Sequence, residues 1–287
     1  MTGSDANWTV ITGSTGGIGS EIAKILAGRG DAMILVNRSA AKAKAQRDAL
    51  LAQNPDLGIE LVTVDLMDTS AIADAVGKIT ALPGRIDVLY NNSGVLTADK
   101  ILSVQGFESQ FAVNTLAPYL LIKGLREKMA RPAGEKPAMV VNFSSSAITP
   151  MKTLGLDSLP NPDKVGGLMG AYAQTKLAVT TLAPALADDL QKDNILIRSV
   201  DPGATKSPMT TGGNSAMPTV LAWLAPLLFS PADKQAAKVV DSADPKAFGG
   251  RTGNYMANRK EKKMPAPATD PKTQQDLLAL LDRLAQD

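Results

Sequence analysis

The sequence predicts an α/β protein with one doubly wound parallel sheet of about seven strands and helices on both faces. Three observations predict it. Short β-branched apolar runs alternate with helical patterns along most of the chain. The intervals between runs hold helices of roughly 10–15 residues, the crossover that a parallel strand pair requires. Polar and glycine-rich clusters follow the runs, where ligands bind in such sheets.

The elements come in order. "WTVIT" (8–12) is the first strand candidate, followed by the glycine-rich "TGSTGGIG" and the helical "IGSEIAKILAGRG". "AMILVN" (32–37) is the second, with a helix after it through about Gln53. "IELVTVD" (59–65), "IDVLYNNSG" (86–94), "AMVVNFSSS" (138–146) and "ILIRSVDPG" (195–203) are the next four, and "TGNYMA" (252–257) is the seventh. Two segments break the rhythm. Residues 147–170 are rich in Gly and Pro and read as a long loop, and long loops in compact domains are usually functional or mobile. Residues 260–287 hold a basic run, a Pro-rich stretch and a final amphipathic helix; the basic run reads as a solvated surface.

Composition narrows the chemistry. The chain has 287 residues, 44% hydrophobic and 20% charged, which suits a single domain spanning residues 1–287. A net charge of +2 and 4% aromatic residues give neither a basic field nor stacking platforms for nucleic acid. With no cysteine and no histidine, disulfides, thiolate catalysis and the commonest metal ligands are excluded, and no metal site is expected. The amino terminus lacks a basic region followed by an apolar one, so no signal peptide is read and the cytoplasm is the expected location. The longest apolar stretch, residues 216–232, is too short to span a bilayer and contains three prolines, so no integral membrane segment is expected.

The turn Thr12–Gly19 follows a strand and opens a helix. Gly13 lets the chain leave the strand sharply. Gly17 and Gly19 remove side chains where a pyrophosphate approaches backbone N–H groups and where helix packs on sheet. With Ser14, Thr15, Gly16 and Ile18 they form a GxxxGxG phosphate-binding turn. After the second strand stand Asn37, Arg38 and Ser39. A carboxylate there would hold a ribose 2′-hydroxyl, but the chain offers a guanidinium fork suited to a 2′-phosphate. The cofactor expected is NADP(H).

In "AYAQTKLAVTTLA" (171–183), Tyr172 and Lys176 lie four apart on one helical face. Alone, such a pair is usually ordinary helix surface. Beside a nucleotide it suits proton delivery: a phenol titrates near ~10, and a nearby cation lowers that value.

Seven motifs, in order, make the chain resemble the short-chain dehydrogenase/reductase family: "TGSTGGIG", "VDL" (64–66), "NNSG" (91–94), "VN" (113–114), "NFSSS" (142–146), "YAQTK" (172–176) and "DPGATKS" (201–207). The long insert, the Arg after strand two and the tail are similar to retinol-dehydrogenase-like and protochlorophyllide-reductase-like members. The resemblance implies a Rossmann-like fold and an NADP(H)-dependent oxidoreductase that interconverts an alcohol and a carbonyl. It implies that Asp65 and Leu66 meet the adenine and that Asn91, Asn92, Ser93 and Gly94 line the cofactor cleft. Pro202, Gly203 and Thr205 would meet the nicotinamide, with Ser207 an alternative to Thr205. It makes Ser145, Tyr172, Lys176 and Asn114 the catalytic set; Tyr172 and Lys176 also touch the cofactor. Ser144 and Ser146 remain alternatives to Ser145. Asn114 would hold a water linked to Lys176, and Pro118 supports this by removing the N–H that would bond the Asn114 carbonyl.

Ser145 and Tyr172 stand 27 positions apart, wider than is common in the family's short branch. The insert at 147–170 is expected to form one wall of the substrate pocket and residues 206–230 its lid; both are apolar-rich, so an apolar or mixed alcohol or carbonyl is expected. A homodimer or homotetramer through 115–130 and 171–190 would follow family habit. The competing reading is a non-catalytic NADP-binding sensor or interaction protein of the same fold.

Overall fold

A computed structural model describes residues 7–167, 170–205 and 230–286. Eight strands form one sheet in the order β3-β2-β1-β4-β5-β6-β7-β8. They are β1 (Asn7–Thr12), β2 (Ala32–Asn37), β3 (Ile59–Thr63), β4 (Arg85–Asn91), β5 (Ala138–Phe143), β6 (Ile195–Asp201), β7 (Asn254–Ala257) and β8 (Lys260–Lys262). Every neighbouring pair is parallel except β7–β8. The winding direction reverses between β1 and β4, and the crevice beyond their carboxyl ends is where such sheets bind ligands.

The main helices are α1 (Gly17–Arg29), α2 (Ala40–Leu51), α3 (Thr69–Ala81), α4 (Ser109–Phe111), α5 (Ala117–Met129), α6 (Ala171–Gln191), α7 (Ala232–Ser242), α8 (Ala266–Thr269) and α9 (Pro271–Leu284). Side chains of α3, α5 and α6 share a core with one face of the sheet, through residues such as Ile72, Leu121 and Ala183. Those of α1 and α7 cover the other face with Leu50 of α2, through Ile22, Leu26 and Val239. Burial on both sides explains the near-continuous apolar strands: Val10 and Ile11, adjacent in β1, enter different cores and are both fully buried.

Local chemistry sets the ends. Asp68 caps α3 by accepting from Ser70 N and Ala71 N. After α1, Gly30 adopts φ 79°; its N–H bonds Ala27 O and the Asp31 N–H reaches Leu26 O, closing the helix in the manner glycine favours.

The expected fold stands, with two adjustments. The strands stop before the polar clusters that follow them, because those residues turn away to make loops at the sheet edge. An eighth strand, Lys260–Lys262, lies inside the basic run. It is fully exposed and antiparallel, and its charges discourage further pairing at the edge. The final helix forms as α9. Its Leu277, Leu280 and Leu281 pack with Leu116, Tyr119, Ala178 and Leu182, and Asp282 accepts from the Tyr119 hydroxyl at 2.7 Å. The same chain thus covers part of the α5 and α6 faces expected to carry a subunit contact. Among the described residues no helix is long and apolar enough to cross a membrane.

One buried cation organises the far edge. Arg198 of β6 is fully buried. Its guanidinium donates to the carbonyls of Ser242, Asp244, Pro245, Ala247 and Arg251. Apart from Ser242, which ends α7, those carbonyls belong to an irregular segment in which Phe248, Gly249 and Gly250 all have positive φ. Replacing Arg198 by Met keeps the apolar stem and orphans the carbonyls, each costing about 1–3 kcal/mol where it stays buried. Urea unfolding of Arg198→Met is expected to show a loss of at least about 3 kcal/mol.

Candidate active site

α6 delivers the tyrosine and lysine to one place. Both are buried, and Lys176 Nζ lies 5.9 Å from the Tyr172 ring centroid. The ammonium donates to Phe143 O, the last residue of β5, at 2.8 Å. The three serines beyond that strand separate by environment. Ser144 is buried, bonds the Thr180 hydroxyl at 2.6 Å and contacts Tyr255. Ser146 faces solvent. Ser145 is half-buried and hydrogen-bonded to Tyr172, and its Oγ also accepts from Ala147 N at 3.2 Å. The alternation of an extended chain turns Ser145 toward Tyr172 and Ser144 away.

The electrostatics depart from one expectation. Burial pushes the Tyr172 hydroxyl up to about 12, with Asp201 adding to the rise and the Ser145 hydrogen bond opposing it. Burial also pushes Lys176 down to about 8, with Asp201 opposing. Lys176 is therefore not what governs the phenol here: desolvation outweighs the cation–phenolate attraction. Asp201 is itself raised by burial, against hydrogen bonds from Gly203 N and Tyr255 and the charges of Lys176 and Lys238.

Asn114 sits in a π-helical turn, Ala112–Leu116, between α4 and α5. Pro118 follows it in the first turn of α5. The Asn114 amide is fully used: Oδ1 accepts from Val95 N at 2.8 Å, and Nδ2 donates to Val95 O at 3.0 Å and Thr175 Oγ1 at 3.1 Å. The side chain thus ties the loop after β4 to α6, one residue from Lys176.

At the other end of the crevice, the phosphate turn is braced from three sides. Gly13 has φ 67°, and a Cβ there would stand 2.7 Å from Ser93 Oγ. A Cβ on Gly19 would stand 2.5 Å from both Asn92 Nδ2 and Gly13 O. Asn92 donates to Thr12 O and Gly13 O, and Ser93 N donates to Thr12 Oγ1. Asn37 is spent on the turn as well, through Ser14 Oγ and Thr15 N. Gly16, the N-cap of α1, offers no side-chain cap and has nothing within 4 Å of its missing Cβ. No side chain caps the first turn of α1, whose N–H groups carry the positive end of the helix dipole. Such a turn suits a pyrophosphate, and the residues present fit a nicotinamide dinucleotide.

The remaining expected residues fall around it. Arg38 is exposed. Ser39 caps α2. Asp65 is exposed two residues beyond β3, whereas Leu66 is buried in the core. Asn91 is buried, donates to Asn142 Oδ1 at 2.9 Å, and leaves its own Oδ1 without a partner. Gly94 is half-buried in the loop after β4. Gly203, after Pro202, has φ 86° and donates to Asp201 Oδ1 at 2.8 Å. The Thr205 hydroxyl donates to Gly203 O at 2.9 Å. Ser207 and all but the last residue of the expected lid, 206–229, lie outside the described residues.

Of the insert, 147–167 and Gly170 are described. It is pinned on α4 and α6: Glu108 N donates to Pro160 O, Gln110 Nε2 to Val165 O, and Gln174 Nε2 to Thr153 O. Met151 of the insert and Leu96 pack beside Tyr172. The sequence reading missed Gln46, whose amide grips Ser14 from α2. A lone Gln amid Lys, Arg and Ala on a surface helix carries no local signal.

Comparisons with known proteins agree on the family. The family described as short chain dehydrogenase matches residues 7–156. Short-chain dehydrogenase TIC 32 A, chloroplastic, of Brassica napus is 36% identical over 200 residues, 68% of this chain and 62% of that protein. The chain therefore spans under two thirds of that relative's length. Retinol dehydrogenase 13 of Homo sapiens is 28% identical over 91% of this chain and 78% of its own length. A crystal structure of an uncharacterized protein from Mycobacterium Paratuberculosis has a TM-score of 0.75 and 24% identity, covering 99% of this chain and 96% of that one. A blue fluorescent protein from a metagenomic library, solved in complex with NADPH, shares the fold at a TM-score of 0.68 and 23% identity, over 88% of this chain and 96% of its own.

The lowered Lys176 pKa has a consequence for stability. Between about 8 and the ordinary lysine value of 10.5, the unfolded chain holds a proton that the folded chain has released. Stability then rises with pH through that window and is lost as pH falls through 8. Urea unfolding from pH 7 to 10 is expected to show wild type gaining on Lys176→Met as pH increases; a pH-independent difference would contradict the depressed value.

Proposed function

The chain belongs to the short-chain dehydrogenase/reductase family, and from that premise we propose that it is an NADP(H)-dependent oxidoreductase interconverting an alcohol and a ketone or aldehyde. The observation that carries the proposal is the convergence of Ser145, Tyr172 and Lys176 at the end of β5, on the sheet edge where α1 opens toward a pyrophosphate.

When bound, the cofactor supplies the hydride. The protein's residues handle the oxygen. Tyr172 keeps its proton at neutral pH, because burial holds its hydroxyl high, so it stands ready to donate to the carbonyl oxygen. Ser145, hydrogen-bonded to Tyr172, holds the same oxygen as negative charge develops. Lys176 titrates near neutrality and lies against the Tyr172 ring, so it can carry positive charge to the phenolate that donation leaves. In the alcohol-oxidising direction the same groups run in reverse.

Arg38 favours the 2′-phosphate over a free 2′-hydroxyl, and the NADPH complex of a structural neighbour supports that preference. Asp65, exposed at the adenine end, and Asn91, whose buried Oδ1 is unpartnered in the cleft wall, complete the proposed cofactor contacts with Gly13 to Gly19 and with Pro202 to Thr205. Leu96 and Met151 give the substrate an apolar flank beside Tyr172, which supports an apolar or mixed alcohol or carbonyl. Residues 206–230 remain the proposed lid, and homo-oligomerisation, where it occurs, would use surface beyond the part of α5 and α6 that α9 covers.

The test pairs NADPH and NADH titrations with a carbonyl panel. Wild type is expected to bind NADPH more tightly and to reduce at least one apolar ketone or aldehyde. Tyr172→Phe is expected to retain cofactor affinity and lose at least about 100-fold in kcat, the scale of general acid catalysis. A Tyr172→Phe variant working at the wild-type rate would refute the mechanism.

A further inference from the structure

If a 2′-phosphate is what Arg38 recognises, something must hold Arg38 in place. The guanidinium is exposed and makes no hydrogen bond or ion pair with any described residue. Its position is set by the backbone it leaves, the entry to α2. That helix is weakly anchored, with only Ala43 and Leu50 buried among its twelve residues.

The stronger tether is polar. Gln46 is half-buried in the middle of α2. Its Nε2 donates to Ser14 O at 2.6 Å, and its Oε1 accepts from Ser14 Oγ at 2.8 Å. Ser14 is fully buried, and its hydroxyl also accepts from Asn37 Nδ2 at 2.8 Å. Asn37 Oδ1 in turn accepts from Thr15 N at 3.2 Å. Arg38 is the residue after Asn37. The bonds thus run from mid-α2 through the phosphate turn to the last residue of β2, and Arg38 lies on the stretch of chain that they enclose.

Two consequences follow. The Thr15 N–H is spent on Asn37, and the Arg38 guanidinium stays available to a ligand at this end of the turn. The path from Asn37 to α2 is also fixed at both ends, by Asn37 on one side and Gln46 on the other. Removing the Gln46 amide leaves the Ser14 carbonyl unpaired and frees the helix that Arg38 enters.

We propose that Gln46 is a specificity-determining positioning residue, whose grip on Ser14 fixes the Arg38 guanidinium where the 2′-phosphate of the adenosine ribose would sit. This rests on the NADP(H) reading above. It places the larger loss on the phosphorylated cofactor, since a ribose without the 2′-phosphate makes no use of Arg38.

The experiment titrates wild type, Gln46→Ala, Gln46→Met, Arg38→Ala and Arg38→Ala/Gln46→Ala with NADPH and NADH, following nucleotide fluorescence. Gln46→Met keeps the length of the side chain and neither hydrogen bond, and serves where the alanine variant folds poorly. Each Gln46 variant is expected to weaken NADPH binding about tenfold, the scale of a single hydrogen bond, and NADH binding several-fold less, because both nucleotides share the turn that Gln46 braces. In the Arg38→Ala background the Gln46 change is expected to cost NADPH no more than it costs NADH. Equal weakening of both nucleotides, an unchanged NADPH affinity, or additive losses in the double variant would overturn the proposal. A wild type that binds NADH as tightly as NADPH, or neither, removes the cofactor reading and this inference with it.

Discussion

One buried ammonium holds the site together. Lys176 Nζ donates to the carbonyl of Phe143, and that bond ties the second turn of the longest described helix to the end of a central strand. Burying an ammonium costs several kcal/mol, whereas one hydrogen bond to a charged group returns about 1.5–3 kcal/mol. Desolvation wins, and the pKa of Lys176 falls to about 8. The energetic cost buys a lysine that changes charge near physiological pH, against a tyrosine that stays protonated. Hydrogen bonds among the strand-end loops link α6 to the turn after β1.

Side-chain amides and hydroxyls do most of that work. Asn114 fastens the loop after β4 to Thr175, next to Lys176. Asn92 fastens the same loop to the turn after β1, and Ser93 meets Thr12. Asn37 and Gln46 hold the turn from the β2 side. Such groups have two directional ends and no charge to desolvate, so they can lock loops at the edge of a dry sheet without disturbing the titrating pair between them.

The sheet, its order of elements and the glycine turn were legible because each is written locally. Apolar runs such as "AMILVN" bury on both faces, and Gly13 and Gly19 stand where a Cβ would collide. The helical spacing of Tyr172 and Lys176 was equally plain. Other features depended on tertiary contacts that no window of sequence contains. β8 hid in a charged run because an edge strand is protected by lysines. The choice among Ser144, Ser145 and Ser146 needed Thr180 and Tyr172 in place. The direction of the Tyr172 shift needed the extent of burial: pairing with a cation suggested a fall, and desolvation gives a rise. Gln46 acts across 32 positions and looked like solvent-facing helix.

The account turns on the charge state of Lys176, which nuclear magnetic resonance of the protein labelled at the lysine side chains reads directly. The resonance that disappears in Lys176→Met is expected to titrate in the wild-type protein with a midpoint near 8. A midpoint at the ordinary lysine value of 10.5 would show that the ammonium is not desolvated on the Phe143 carbonyl, and would contradict the account.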